Sequence, residues 1–145
     1  KFKLDDNSPL KLKQAEVINK YGSDDHEATE KMLRELKLNN ALIEIVQGKS
    51  FGNAIEVEKN NDWPLKILFY SDMRVVPTGV VDLETRLNDV VTRLEKYRIH
   101  PQKDKLLESS RNIEKQIQQE TKTDLEDISD QTISDNLENL LILEF

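Results

Sequence analysis

The chain has 145 residues, a mass of 16.9 kDa and a net charge of −7 from 21 basic and 28 acidic side chains. That length fits one domain, and hydrophobic and charged fractions of 37% and 34% describe a thin core beneath a heavily charged surface. Four Gly and four Pro are too few for the turns of an all-β sandwich, and zero cysteines exclude disulfides, zinc–thiolate centres and thiol nucleophiles.

Further exclusions follow from charge and hydropathy. A pI near 4.9, with no cluster of Lys and Arg, argues against binding a nucleic-acid polymer through its phosphates. The longest apolar runs, Ile67-Leu68-Phe69-Tyr70 and Leu140-Leu141-Ile142-Leu143, fall far short of the ~18 residues that mark a membrane span. The opening Lys1-Phe2-Lys3-Leu4-Asp5-Asp6 is polar and unlike a secretory signal. With the missing cysteines, it fits a protein of the reducing cytoplasm.

Asn7-Ser8-Pro9 signals a loop, and a weak helix follows from about Leu10 to Lys20, stopped by Tyr21-Gly22. Ser23 or Asp24 then caps a second helix, whose Asp25 and Glu27 complement the helix dipole. Its apolar set Ala28, Met32, Leu33 and Leu36 predicts a narrow buried stripe. Asn39-Asn40 interrupts the chain before a short helix over Ala41 to Gln47, with Leu42, Ile45 and Val46 turned inward.

Gly48 to Asn61 is the least regular stretch. Asp62-Trp63-Pro64 is a strong helix start, a capping carboxylate followed by a proline whose missing N–H costs nothing in the first turn. The helix it opens carries Leu65, Ile67, Leu68, Phe69, Tyr70 and Met73 with almost no polar face, which predicts a central position. Val75 to Gly79 turns the chain. Asp82 opens the clearest amphipathic pattern, with Leu83, Leu87, Val90, Val91, Leu94 and Tyr97 on one stripe as far as Pro101.

A further helix runs from about Gln102 to Thr121 with Leu106, Leu107, Ser110, Ile113 and Ile117 inward. Thr123 or Asp124 caps a last helix or pair of helices, with Leu125, Ile128, Ile133, Leu137, Leu140, Leu141 and Phe145 inward. Residues 101–145 hold five basic and eleven acidic groups, so most of the negative charge lies there, on a solvated face. Their Leu/Ile stripe would let these helices pair with a second copy of the chain.

Few residues suggest chemistry. Asp72 sits in an otherwise apolar helix, and burying an unpaired carboxylate costs several kcal/mol. Two compensations offer themselves: an ion pair with Arg74 or Arg86, or a bound metal ion. His26, in the first turn of a helix between Asp25 and Glu27, is either a solvated residue at a cap or a group facing an anion at the helix N-terminus. His100, before Pro101, reads as structural. Gly48-Lys49-Ser50 ends like a phosphate loop, but position 43, where that loop needs glycine, is Ile43. No nucleophile–histidine–acid pattern appears.

The run Tyr70-Ser71-Asp72-Met73-Arg74-Val75, followed by Asp82-Leu83-Glu84-Thr85-Arg86-Leu87 and the tail Arg93 to Tyr97, resembles the C-terminal part of an HD-domain metal-dependent phosphohydrolase. Upstream, His26-Glu27 with Met32-Leu33 is similar to an earlier helix of that family, so the resemblance covers roughly residues 15–98. It implies an all-α, HD-like bundle of about six to seven helices, with a partial core over residues 1–100 and an acidic helical extension over 101–145 packed on it. It further implies hydrolysis of a nucleotide or other phosphate ester, assisted by a divalent metal (Mn, Mg, Fe or Zn). Asp72 would be a metal ligand, His26 would touch the phosphate or a second metal, and Arg74 and Arg86 would support them as ion pairs.

The family's adjacent His-Asp pair is absent from the sequence, and Gln47 stands where a second-metal histidine is common. The metal is therefore expected only if that pair lies upstream of Lys1. Without it, the resemblance leaves a non-catalytic helical domain that binds a partner protein or a ligand.

Overall fold

The computed structural model describes residues 9–141, with side chains through residue 136. Among them are nine α-helices, two 3₁₀ turns and one two-stranded sheet, so the architecture is all-α. None of these helices is long and apolar enough to cross a membrane. The chain divides into two compact units, residues 1–47 and residues 48–145.

The first unit contains α1 (Pro9–Tyr21), α2 (Asp25–Glu35) and nearly all of α3 (Asn40–Gly48). Gly22 follows α1 at φ +103°, a conformation open mainly to glycine, and its N–H closes the helix on the Ile18 carbonyl at 2.8 Å. Asp24 caps α2 by accepting from the His26 and Glu27 amides, each at 3.0 Å. Lys37, at φ 58°, occupies the left-handed turn that ends α2. Polar contacts join the helices: Glu35 accepts from Lys20 at 2.7 Å and from Tyr21 at 2.8 Å, and Gln47 donates to the His26 carbonyl at 2.9 Å.

Neither α1 nor α2 contains a buried residue, so the stripe expected at Ala28, Met32, Leu33 and Leu36 is only half-buried and Leu36 is exposed. In α3 the buried residue is Ile43, while Leu42, expected inward, is exposed. At four apolar positions per helix, periodicity names a stripe but leaves its rotation uncertain by a residue.

The second unit has the larger core. A 3₁₀ turn (Phe51–Asn53) leads into α4 (Ala54–Lys59), inside the stretch Gly48 to Asn61 that reads as the least regular in the sequence. Phe51, Ala54 and Val57 recur at helical spacing and are almost completely buried, and α4 packs along α8 (Lys103–Glu120). A six-residue helix is too short to persist alone, so this packing makes it. A polar network seals the same seam. Glu58 accepts from Ser109 at 2.5 Å and Asn112 at 2.8 Å, and buried Lys66 donates to Gln116 at 2.5 Å and to the Glu58 carbonyl at 3.0 Å.

Helix α5 (Trp63–Asp72) starts as its sequence requires, with Asp62 accepting from the Leu65 amide at 3.1 Å and Pro64 in the first turn. It is not fully central. Phe69 and Tyr70 are buried, but Ile67 is 54% exposed, and a helix apolar on nearly every side here covers only one. Strands β1 (Val75–Val76) and β2 (Gly79–Val80) form a tight antiparallel hairpin, Val75 opposite Val80. Asp82 caps α6 (Leu83–Arg93), accepting from the Thr85 amide at 2.8 Å and its hydroxyl at 2.6 Å.

The pattern that read as one helix to Pro101 breaks at Leu94, whose extended backbone separates α6 from α7 (Glu95–Arg98). The break lets Tyr97 turn into the core, where its ring meets Phe51 edge-on at 4.9 Å. This break and α4 account for the helices beyond the expected six or seven. After α8, a second 3₁₀ turn (Leu125–Asp127) and α9 (Asp130–Leu141) complete the described chain. Leu125 is buried and Ile128 half-buried, but Ile133, expected inward, is 37% exposed. The side chains of Leu137, Leu140 and Leu141, and all of Phe145, lie outside the described residues.

Two expectations follow. Ile113 is wholly buried, so Ile113→Ala should cost about 2–5 kcal/mol in urea unfolding, whereas exposed Ile67→Ala should stay within about 0.5 kcal/mol. The bonds from Thr85 hold the Asp82 carboxyl below its ordinary 3.8. Because the folded pKa is the lower one, this stability is present above the ordinary value and lost as pH falls through the folded value. Asp82→Ala should cost about 1 kcal/mol at neutral pH, and its difference from wild type should shrink in unfolding curves taken below pH 3.8.

Candidate functional site

The candidate centre lies in the second unit, where α5 ends and the hairpin begins. Asp72 is the last residue of α5, the end where the helix dipole disfavours a negative charge. Its carboxylate is about a third exposed and forms an ion pair with Lys49 at 2.5 Å. Lys49 comes from the turn before Phe51 and is itself about a third exposed. The charge that the sequence requires to be compensated is thus met by a lysine 23 residues upstream, not by Arg74 or Arg86.

Arg74 does something else. It is 5% exposed, and it makes no ion pair among the described residues. Its Nε donates to the Val81 carbonyl at 2.5 Å, Nη1 to the Tyr70 hydroxyl and to the Leu125 carbonyl at 2.9 Å, and Nη2 to the Ile128 carbonyl at 2.9 Å. The Tyr70 hydroxyl in turn donates a hydrogen bond to Glu114 at 3.0 Å, and burial pushes its phenol up to about 12, so it remains a neutral donor. Arg74 therefore ties the hairpin and the segment before α9 to α5 and α8.

Arg86 pairs with Asp89 at 2.6 Å on its own helix, and its buried Nε has no hydrogen-bond partner among the described residues. Asp89 also accepts twice from Arg93 at 3.1 Å, and these bonds, with Arg86 nearby, hold its carboxyl below the usual range. Both arginines expected to support Asp72 are thus committed elsewhere. The sequence offers no signal for Lys49 as the partner, because it lies in the stretch with the weakest periodicity.

His26 belongs to the first unit and is exposed. Its own amide and that of Glu27 already donate to the Asp24 carboxylate, which takes the place an anion would fill on them. Gln47 spends its amide on the His26 carbonyl. Among the described residues no group of three or more His, Cys, Asp or Glu gathers in metal-binding geometry. The Lys49 ammonium already pairs with Oδ1 of Asp72, so the described residues do not fit the metal that the resemblance implies.

A separate cleft of about 860 Å³ lies between the start of α6, α8 and the second 3₁₀ turn, lined by Arg74, Leu83, Glu114, Gln118, Asp124 and Leu125 among others. Acidic and basic groups mix in its lining.

No family model, curated protein or solved structure matches the chain.

The ion pair is testable. A double-mutant cycle of Lys49→Met and Asp72→Asn, read by urea unfolding, should give a coupling of about 0.2–1 kcal/mol. That coupling should shrink in high salt, since both side chains reach solvent.

Proposed function

We propose that the chain is a non-catalytic helical domain, HD-like in its sequence pattern, that binds a partner protein or a small ligand. The observation supporting this most directly is the Lys49–Asp72 pair at 2.5 Å. Asp72 is the best-matched of the family's metal ligands in this sequence, and its charge is balanced without a metal. A single carboxylate facing an ammonium group holds a divalent ion poorly, because the cation meets repulsion and finds no second donor.

A second reading, the C-terminal part of an HD-type phosphohydrolase acting on a nucleotide or other phosphate ester, draws on one observation. Asp72 is a third exposed and has a single flexible partner, so the lysine can swing away. This reading needs further ligands from outside the described residues or from another polypeptide. The divalent metal would then supply the activated water.

Thermal unfolding of the protein together with the sequence encoded upstream of Lys1, with and without millimolar Mn²⁺, separates the two. The first reading expects no shift in Tm. Metal at about 100 times its Kd would stabilise a folded protein by about 2.7 kcal/mol, which for a domain of this size raises Tm by several degrees. A rise of that size in the wild type, abolished in Asp72→Asn, would replace the first reading with the second.

A further inference from the structure

Helix α1 is not self-sustaining. It has 13 residues, too few to persist alone in water, and every residue from Pro9 to Lys20 is exposed. Polar bonds tie its last turn to α2: Lys20 and Tyr21 donate to Glu35, and the Tyr21 carbonyl accepts from Lys31 at 3.0 Å. Between the two helices lies an open groove of about 560 Å³, lined by Gln14, Val17 and Ile18 from α1 and by Ala28, Thr29 and Met32 from α2, among others. Val17 and Ile18 are 43% and 42% exposed. Both sets contain pairs three and four residues apart, the spacing at which a helix offers one side to a neighbour. The groove therefore has the form of a seat for a further short helix.

Charge narrows what that helix is. On α1, Lys11, Lys13 and Lys20 stand against Glu16, whereas on α2, Asp25, Glu27, Glu30 and Glu35 stand against Lys31 and Arg34. One wall of the groove is basic and the other acidic. Helix α1 itself meets the demands of the seat. It is short, it carries the apolar residues Val17 and Ile18 at exposed positions, and its excess of lysine complements the acidic wall that α2 provides. A helix that lines one groove and fills another is the self-complementary arrangement of a two-fold dimer.

We infer that the groove between α1 and α2 is the seat of α1 from a second copy, so that two chains pair by exchanging their α1 helices. The inference does not rest on the function proposed above. It places the pairing on residues of the first unit and not on the Leu/Ile stripe of the C-terminal helices.

Sedimentation of the full chain over a range of concentrations tests it, with far-UV circular dichroism on the same samples. The wild type should reach twice the chain mass of 16.9 kDa. On dilution its helicity should fall, by up to the 13 residues of α1, as the dimer dissociates. Val17→Asp should weaken the dimer about a hundredfold or more, because pairing would bury two unpaired carboxylates. Lys13→Glu, at an exposed position of the groove lining, should weaken it about tenfold by setting like charges against α2, and it decides the matter if Val17→Asp fails to fold. Leu12 is 72% exposed and does not line the groove, so Leu12→Asp should change the affinity by no more than about twofold. A wild type that sediments as a monomer at every concentration would overturn the inference, the groove then having another occupant. So would a dimer that survives Val17→Asp and Lys13→Glu, or one that Leu12→Asp weakens as much as they do.

Discussion

A buried guanidinium organises the second unit. Arginine stays charged at any pH a protein meets, and stripping its water costs several kcal/mol unless acceptors replace it. Arg74, 5% exposed, is surrounded by acceptors from four places in the chain: the Tyr70 hydroxyl and the carbonyls of Val81, Leu125 and Ile128. None carries a full charge. The cation is instead neutralised by oriented dipoles, backed by Glu114 through Tyr70. Helix α5, the hairpin, α8 and the segment before α9 must therefore meet at one point, and the cleft beside them exists because they do.

The same requirement separates two residues that stand side by side in sequence. Asp72 and Arg74 look like natural partners, but two residues apart at a helix end they face different directions. Arg74 turns inward to the carbonyls, and Asp72 remains at the surface at the unfavourable end of the helix dipole, where Lys49 meets it. The pairing that results lowers the electrostatic cost of Asp72 and leaves it little capacity for a metal ion. The functional reading follows from that competition: a carboxylate already satisfied is a weak nucleus for a catalytic centre.

Caps and boundaries were legible from local chemistry. Asp24, Asp62 and Asp82 sit at helix starts as expected, because an N-cap depends on a side chain and an amide within three residues of it. The stripe of α8 at Leu106, Ser110 and Ile113 was legible too, since eighteen residues give the period room to declare itself. Helix α4 was not, being six residues long and stabilised by a partner 50 residues away. Of the candidate site, Asp72 was legible as a charge needing compensation. Lys49 was not, because an ion pair between distant segments leaves no spacing to find.

The sequence by itself determined an all-α chain with a thin core, no thiol chemistry and a single carboxylate embedded in an apolar helix. These follow from composition, period and local capping, each a property of a few neighbouring residues. Only the tertiary structure decided which cation meets Asp72, that Arg74 serves carbonyls and not carboxylates, and that two of those carbonyls come from Leu125 and Ile128. Each of these is a choice among several chemically equivalent partners. Which one wins depends on where the packed helices bring the backbone, and a linear sequence does not carry that distance.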